Sequence, residues 1–326
     1  MIELKQRNFF HIGYGKAGSS TLQSAFFPKH KEIHFYGISF ENFPRADWLT
    51  PSARSLCRRV IHPEYWSGWQ QADLDDIEHH KSLAYQQNNS FVFSNDHFSL
   101  LVAPEWSTQK MKELMPDAHI IVVIRRQQDM LRSIYKFRGH QLVFAPKSHR
   151  GRAVKFNNFF EYLYANYENR GGHKARDWIA DYLRIIDFKT LIDVYAQAFG
   201  EDKVHVLLFE DLASNPDVFY QKLCDVLGVS YSSAKGTVVN ASLSAGSIEY
   251  LRLKGRLFGR FDFSQSIPGA ARLSKLIHSG LKGRGGEIAY SDGQLAALQA
   301  IYAAGNTDIA ERFGLDLSAR GYFASS

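Results

Sequence analysis

The residues best suited to chemistry lie near the start of the sequence, in a segment that is rich in glycine, serine and threonine. Residues 13–21 read GYGKAGSST, and they follow the short apolar stretch NFFHIG at residues 8–13. Glycines allow a tight turn in which several backbone N–H groups point at one anion, and Lys16 adds a full positive charge. The segment therefore predicts a phosphate-binding loop; the alternative is a strand-to-helix turn without a ligand.

The position of the lysine separates this loop from that of the nucleotide triphosphatases. Their loop ends in Gly-Lys-Ser or Gly-Lys-Thr, whereas here Lys16 comes early and a Ser-Ser-Thr cluster follows it. A kinase that uses ATP with magnesium is disfavoured for this reason, but it stays an alternative.

A second candidate anion site follows the stretch HIIVVI at residues 119–124. Arg125 comes directly after it, and Ser133 lies further along a segment with helical periodicity. A guanidinium offers paired donors to a phosphate and a hydroxyl offers one, so the two side chains can converge on a single phosphate. Two separate anion sites are then implied; in the alternative interpretation, Arg125 is a surface charge after a core strand.

These side chains must be positioned by strands that end at one edge of a sheet. Strand-like segments alternate with helix-like segments, and residues 291–313 predict a closing helix. This pattern predicts an α/β, three-layer fold of the P-loop type, with a central mainly parallel sheet flanked by helices and with ligands at the carboxyl ends of the strands. The predicted strands cover residues 8–13, 33–40, 90–94, 119–124 and 204–209.

The length of 326 residues is compatible with one elaborated domain. We therefore expect a single domain over residues 1–326. Substrate-side insertions are expected near residues 46–89 and 139–177, and a basic loop near residues 252–286.

Composition restricts the partners. The net charge of +6 indicates an anionic ligand, but no basic run is typical of a nucleic-acid arm, so we expect no nucleic-acid partner. Cys57 and Cys224 lack metal-ligand spacing, which argues against a structural metal or a disulfide framework. Because no run of about 18 apolar residues occurs, we expect no membrane segment and a cytoplasmic location. The sequence does not indicate an oligomeric state.

Together, the motifs resemble those of the sulfotransferases that use 3′-phosphoadenosine-5′-phosphosulfate (PAPS), especially the bacterial branch related to carbohydrate sulfotransferases. HIGYGKAGSSTLQ is similar to the family's 5′-phosphosulfate loop, and IIVVIRRQQDMLRSIY is similar to its 3′-phosphate motif. FEDL at residues 209–212 and NASLS at residues 240–244 resemble two further family segments. The chain departs from the family at Arg126-Gln127, where Asn-Pro is usual, and in the loop, where Thr-Gly-Thr-Thr is commoner.

The resemblance implies a reaction and a set of site residues. A sulfuryl group would pass in line from PAPS to a hydroxyl or amine of a saccharide, glycolipid or small metabolite, without a metal, leaving adenosine 3′,5′-bisphosphate. Lys16 would stabilise charge on the leaving phosphate, while Arg125 and Ser133 would hold the 3′-phosphate. The 5′-phosphosulfate would be held by Gly15, Lys16, Ala17, Gly18, Ser19, Ser20 and Thr21.

The resemblance leaves three candidates for the general base. Glu32 lies in KEIHFY, which resembles the Glu-x-x-Phe-Phe element of glycosaminoglycan sulfotransferases, while Asp96 and His97 follow the strand-like residues 90–94. In the cytosolic branch of the family, this second region supplies a catalytic histidine, a side chain suited to proton transfer near neutral pH. Because the base stays open, a catalytically silent nucleotide- or polyanion-binding module stays an alternative.

One basic segment has no assigned role. Residues 281–286 (LKGRGG) resemble late basic loops that cover the nucleotide in this family, and the alternative is an ordinary surface loop.

Overall fold

The computed structural model of the protein describes residues 7–37, 51–100, 103–137, 154–168, 179–233 and 288–325. Several sequence predictions lie outside the described residues: the basic loop at 252–286 with its segment 281–286, the motif at 240–244, and parts of both predicted insertions.

Five strands form one sheet in which all neighbouring strands run parallel, in the order β2-β3-β1-β4-β5. The central strand, β1, pairs with β3 through Phe9 and Val92 and with β4 through Phe9 and His119. Residues 120–124 of β4 are fully buried, as expected for a parallel strand covered on both faces. The predicted α/β fold with a parallel central sheet is thus confirmed. The strands are β1 (Asn8–Gly13), β2 (Ile33–Gly37), β3 (Ser90–Ser94), β4 (His119–Ile124) and β5 (Val204–Leu208).

Helices make the connections, because parallel neighbours in a sheet need crossovers that are longer than a hairpin turn. In the described parts of the chain, no helix combines the length and the apolar character needed to cross a membrane. The helices are α1 (Ser19–Thr21), α2 (Pro51–Ile61), α3 (Gln71–Gln86), α4 (Pro104–Leu114), α5 (Gln127–Phe137), α6 (Phe156–Glu168), α7 (Tyr182–Ile185), α8 (Phe188–Phe199), α9 (Phe209–Ser214), α10 (Pro216–Leu227) and α11 (Asp292–Phe313).

The segment after the glycine-rich turn is irregular, and one strand boundary differs from the sequence prediction. After α1, the chain continues through a π-helical turn (Leu22–Phe26) and a 3₁₀ turn (Phe27–Lys29) that contains Pro28. Proline is tolerated at the start of a new turn, where its missing N–H is not needed, so the helical segment continues past Pro28. Phe209, predicted as the last residue of a strand, instead begins α9.

The strand order determines where the functional segments meet. From β1 the chain first builds β2 and β3 on one side, and it then returns to build β4 and β5 on the other side. The carboxyl ends of β1, β3 and β4 therefore lie next to one another, at the place where open α/β sheets bind ligands. The segments that follow these three ends are residues 14–18, 95–97 and Arg125.

The chain divides into two compact units. The first comprises Met1–Arg125, Asp187–Asn240 and Gly305–Arg320, and it includes the sheet; the second comprises Arg126–Ile186, Ala241–Ala304 and Gly321–Ser326. The expectation of a single domain stays a prediction.

Within the second unit, tyrosine hydroxyls bind backbone carbonyls. Tyr135 donates to Val154 and Tyr290 donates to Gln128, both at 2.7 Å. The ring of Phe156 lies edge-on against those of both tyrosines. The start of α5 is thus joined to aromatic side chains from later in the chain.

A buried carboxylate fixes α9 in the first unit. Asp211 is only 3% exposed, and Nζ of Lys222 lies 3.1 Å from its Oδ2. Its other oxygen accepts from Arg320, which comes from the segment after α11. Three distant parts of the sequence are therefore joined at this one side chain.

We expect Asp211→Ala to lower the free energy of unfolding by about 2 kcal/mol, because the charge-assisted bonds of a buried carboxylate to Lys222 and Arg320 are lost. Denaturant unfolding would measure the change. The matched control is Asp225→Ala, at an exposed carboxylate on α10 that binds the side chain of Gln221, for which the expected change is within about 0.5 kcal/mol. Equal losses in the two variants would contradict the anchoring role.

Candidate active site

The glycine-rich turn after β1 is shaped by positions at which a larger side chain would collide with its neighbours. A Cβ atom on Gly18, whose φ is +91°, would lie 2.8 Å from Cδ2 of Leu212, closer than real Cβ contacts come. A Cβ atom on Gly15 would lie 3.1 Å from Oδ2 of Asp96. Glycine is thus needed at position 18, where the backbone is left-handed and the packing is closest, whereas a side chain at position 15 would require the Asp96 carboxylate to move by a few tenths of an ångström.

Hydrogen bonds inside the turn converge on the carbonyl of Tyr14. This carbonyl accepts from the hydroxyl of Ser19 at 2.6 Å and from the N–H of Ala17 at 3.2 Å. The N–H of Tyr14 in turn donates to the carbonyl of Val123 in β4. Ser19 is 2% exposed, so its hydroxyl binds the protein interior, whereas Ser20 and Thr21 are half-buried at the surface of the turn.

Lys16 and Arg125, predicted from two separate motifs, are neighbours. Nη1 of Arg125 donates to the carbonyl of Lys16 at 3.0 Å. Lys16 has a φ of +74°, a left-handed conformation that is uncommon for residues other than glycine and that often marks a functional site. The guanidinium of Arg125 also lies 4.4 Å from the ring centre of Phe209.

The second predicted ligand for the 3′-phosphate is on another part of the chain. Ser133 lies on α5, in the second unit, and it is half-buried. Its pairing with Arg125 stays a prediction. In the same unit, Arg126 is bound by Asp129, with Nε and Oδ2 2.6 Å apart, so the second arginine of the motif has a local partner at the start of α5.

The turn after β3 brings Asp96 to the glycine-rich turn. Asn95 is 3% exposed, and its backbone N–H donates to the carbonyl of His11 while its side-chain oxygen accepts from the N–H of His97. These bonds fix the turn that carries Asp96, whose carboxylate faces Gly15. The side chain of His97 is exposed on the same turn.

Glu32 is not brought to this edge of the sheet. It precedes β2, and β2 runs parallel to β1 through their shared neighbour β3. Glu32 therefore lies at the amino ends of the strands, about 17 Å from the loop edge, which is the length of a five-residue strand. There its Oε2 accepts from the N–H of Ser230 at 2.7 Å, and this bond holds the pKa of Glu32 below its usual value.

A buried polar cluster lies below the turn, and sequence reasoning did not assign it a role. Nδ1 of His11 lies 2.7 Å from Oγ of Ser94, which also accepts from Nε2 of Gln23 at 3.0 Å. All three residues are fully buried. The cluster joins β1, the helical segment after the turn and the end of β3. A histidine within the otherwise apolar stretch NFFHIG was the available signal.

The comparison with protein families gives one match. The family model described as a sulfotransferase domain matches residues 6–251 of the chain. The chain therefore belongs to the sulfotransferase family, and the resemblance inferred from the motifs is confirmed at the level of this family. No curated protein sequence matches the chain.

The solved structures that are similar to the chain include two sulfotransferases from different sources. One is the crystal structure of a sulfotransferase from Alicyclobacillus acidocaldarius, with 19% identity over 85% of this chain and 98% of that chain and a TM-score of 0.45. The other is the sulfotransferase domain from the curacin biosynthetic pathway, with 12% identity over 95% of this chain and 98% of that chain and a TM-score of 0.44.

The buried histidine predicts a pH dependence of stability. Burial lowers the pKa of His11 from 6.5 to about 3, so between these values the unfolded chain binds a proton that the folded chain does not. The contribution of His11 to the free energy of unfolding is therefore fully present above about pH 6.5. Below that pH, the free energy of unfolding falls by about 1.4 kcal/mol for each pH unit because of this group. Urea unfolding at pH 7, 6 and 5 should show that His11→Asn removes this part of the slope.

Equal slopes in the two proteins would contradict the prediction. If the variant does not fold, NMR of the imidazole in the wild-type protein gives the same information. A neutral His11 ring down to pH 5 is expected, and protonation near pH 6 would contradict it.

Proposed function

We propose that this sulfotransferase takes its sulfuryl group from PAPS and transfers it to a hydroxyl or amine of a saccharide, glycolipid or other small metabolite, with a general base and without a metal ion. The observation that carries the proposal is the 3.0 Å hydrogen bond between Arg125 and the carbonyl of Lys16. It joins the two motifs that the family uses for the two ends of its donor.

The residues of the turn fit such a donor. PAPS carries negative charge at both ends of a nucleoside, and the described site offers a cationic side chain for each end, Lys16 and Arg125. The glycines keep the turn free of side chains at Gly15 and Gly18, so backbone N–H groups can approach an anion closely. Ser20 and Thr21 can add hydroxyl donors.

The bound donor would supply an activated sulfuryl group with a phosphate as its leaving group. Lys16 would stabilise the negative charge that develops on the leaving phosphate, as a fixed cation whose charge is already in position. Arg125 and Ser133 would hold the 3′-phosphate and so align the donor. These roles need no redox change and no metal ligand from the chain.

The turn at Asp96 and His97 is the best supported source of the general base. The carboxylate of Asp96 faces Gly15, next to Lys16, and the exposed imidazole of His97 can meet a substrate at the same edge. Glu32 is disfavoured because it lies at the opposite edge, and because its lowered pKa makes it a weaker base.

Membership of the family favours sulfuryl transfer over the ATP-dependent kinase and over a silent binding module. A bacterial origin, a relation to the carbohydrate branch and a cytoplasmic location stay predictions.

Nucleotide binding and turnover test the two cations. Arg125→Ala should weaken the binding of adenosine 3′,5′-bisphosphate by roughly 10- to 100-fold, because a hydrogen bond to a charged group is lost. Lys16→Ala should lower kcat by roughly 10²- to 10³-fold. Calorimetry with the bisphosphate measures the first effect, and transfer from ³⁵S-labelled PAPS to a panel of simple saccharides measures the second.

The matched control is Arg126→Ala, because this neighbouring guanidinium is already bound by Asp129; we expect a change in nucleotide affinity of no more than about threefold. ATP with magnesium serves as the competing ligand. A preference for ATP, or near-normal transfer in both Lys16→Ala and Arg125→Ala, would contradict the proposal.

Three substitutions separate the candidate bases. If the turn after β3 supplies the base, Asp96→Asn or His97→Ala lowers kcat by roughly 10²-fold or more with unchanged affinity for the bisphosphate. Glu32→Gln should keep turnover, because Glu32 lies at the other edge of the sheet. Loss of turnover in Glu32→Gln alone would show that the assignment is wrong.

A further inference from the structure

Phe209 is the side chain that contacts both the glycine-rich turn and Arg125. It is the first residue of α9, directly after β5, and its ring centre lies 4.4 Å from Cζ of Arg125. Cδ2 of the same ring lies 3.3 Å from the place where Gly18 would carry a Cβ atom. One aromatic ring thus packs beside the turn and against the guanidinium.

The helix that carries Phe209 is held firmly in place. Asp211 is buried, and Lys222 and Arg320 bind its carboxylate. One residue further, Leu212 packs directly against Gly18. The ring is therefore part of a rigid support, since the residues after it fix the position of α9.

A ring face has a particular effect on a guanidinium. Arginine is planar, it stacks on aromatic faces, and its N–H donors lie in the plane of the group. One of these donors already binds the carbonyl of Lys16. With the ring contact and this hydrogen bond both in place, the plane of the guanidinium is restricted, and so are the directions of its other donors. An aliphatic side chain would fill the space without setting that plane.

We propose that Phe209 is a positioning residue for Arg125: its ring orients the guanidinium so that its donors meet the 3′-phosphate of the nucleotide. The inference rests on the proposed function, because it takes the 3′-phosphate as the ligand of Arg125. Phe209 acts through Arg125 and is not itself required to touch the reacting groups.

The test compares two nucleotides that differ by the 3′-phosphate alone, adenosine 3′,5′-bisphosphate and adenosine 5′-phosphate. Phe209→Leu should lower the preference for the bisphosphate roughly fivefold, the effect of losing one cation–π contact. The affinity for adenosine 5′-phosphate should change by less than about twofold. Phe209→Tyr keeps the ring face and should restore the wild-type preference.

Two controls exclude a general packing effect. Phe219→Leu shortens a buried phenylalanine of the first unit, on α10, whose ring packs against Tyr220; the nucleotide preference should stay at the wild-type value. In an Arg125→Ala background, adding Phe209→Leu should leave the preference unchanged, because the group that it orients is gone.

Several outcomes would overturn the proposal: an unchanged preference in Phe209→Leu, an equal fall in Phe219→Leu, or equal weakening of both nucleotides. The last outcome would mean that the ring supports the turn or the nucleoside rather than Arg125.

A measurement without nucleotide separates failure of this inference from failure of the proposed function. If the wild-type protein binds both nucleotides equally, the 3′-phosphate assignment is wrong, and with it this role of Phe209. NMR of ¹⁵N-arginine-labelled protein then shows whether the ring orders the guanidinium, with the Arg125 Nε signal identified from Arg125→Lys. Phe209→Leu should increase the motion and exchange of that N–H, and an unchanged signal would overturn the positioning step itself.

Discussion

Parallel pairing of β1 with β3 on one side and β4 on the other is the constraint on which the described site depends. In a parallel sheet the carboxyl ends of neighbouring strands meet at one edge, so the residues that follow these three strands become neighbours although they are far apart in the sequence. The pairing even continues beyond β1, because the N–H of Tyr14 donates to Val123 in β4. The glycine-rich turn is thereby fixed to the strand that ends at Arg125.

Both basic and acidic side chains lie at the glycine-rich turn. Lys16 and Arg125 belong to one hydrogen-bonded unit, and the carboxylate of Asp96 faces the same turn through Gly15. An acidic group beside an anion site is unfavourable unless cations offset its charge. Under the proposed function the arrangement separates two tasks: the basic residues would bind the donor, and the acidic residue would face the group that loses a proton.

The sequence was sufficient for the parallel sheet and for placing the glycine-rich turn and Arg125 at one edge of it. Three of the five strands, β1, β3 and β4, begin and end where the apolar runs do, because buried parallel strands are continuous apolar segments with clear limits. The rule that strand ends meet at one edge then places the turn and Arg125 at that edge. The hydrogen bond from Arg125 to the carbonyl of Lys16 depends on side-chain packing, which the rule does not describe.

The contacts that the sequence does not predict are ones that no local pattern encodes. Glu32 resembles a family element in its letters, but β2 begins only at Ile33, so Glu32 lies at the edge opposite the glycine-rich turn. Phe209 looks like a strand residue, and its contact with Arg125 depends on how α9 packs against the turn. Ser19 stays a predicted ligand, and its hydroxyl has a further contact that closes the turn on Tyr14. Each of these roles depends on partners distant in sequence or on backbone geometry.

The cluster of His11, Ser94 and Gln23 has a consequence for how this family member can evolve. Oγ of Ser94 accepts from Gln23 and lies 2.7 Å from Nδ1 of His11, and either tautomer of the ring completes this second bond because a hydroxyl donates one hydrogen bond and accepts two. The three side chains are thus partners of one another in the core, and a change at one position leaves a polar atom of its neighbour unmatched. The three positions should therefore be inherited as a set in close relatives, or be replaced together by apolar residues.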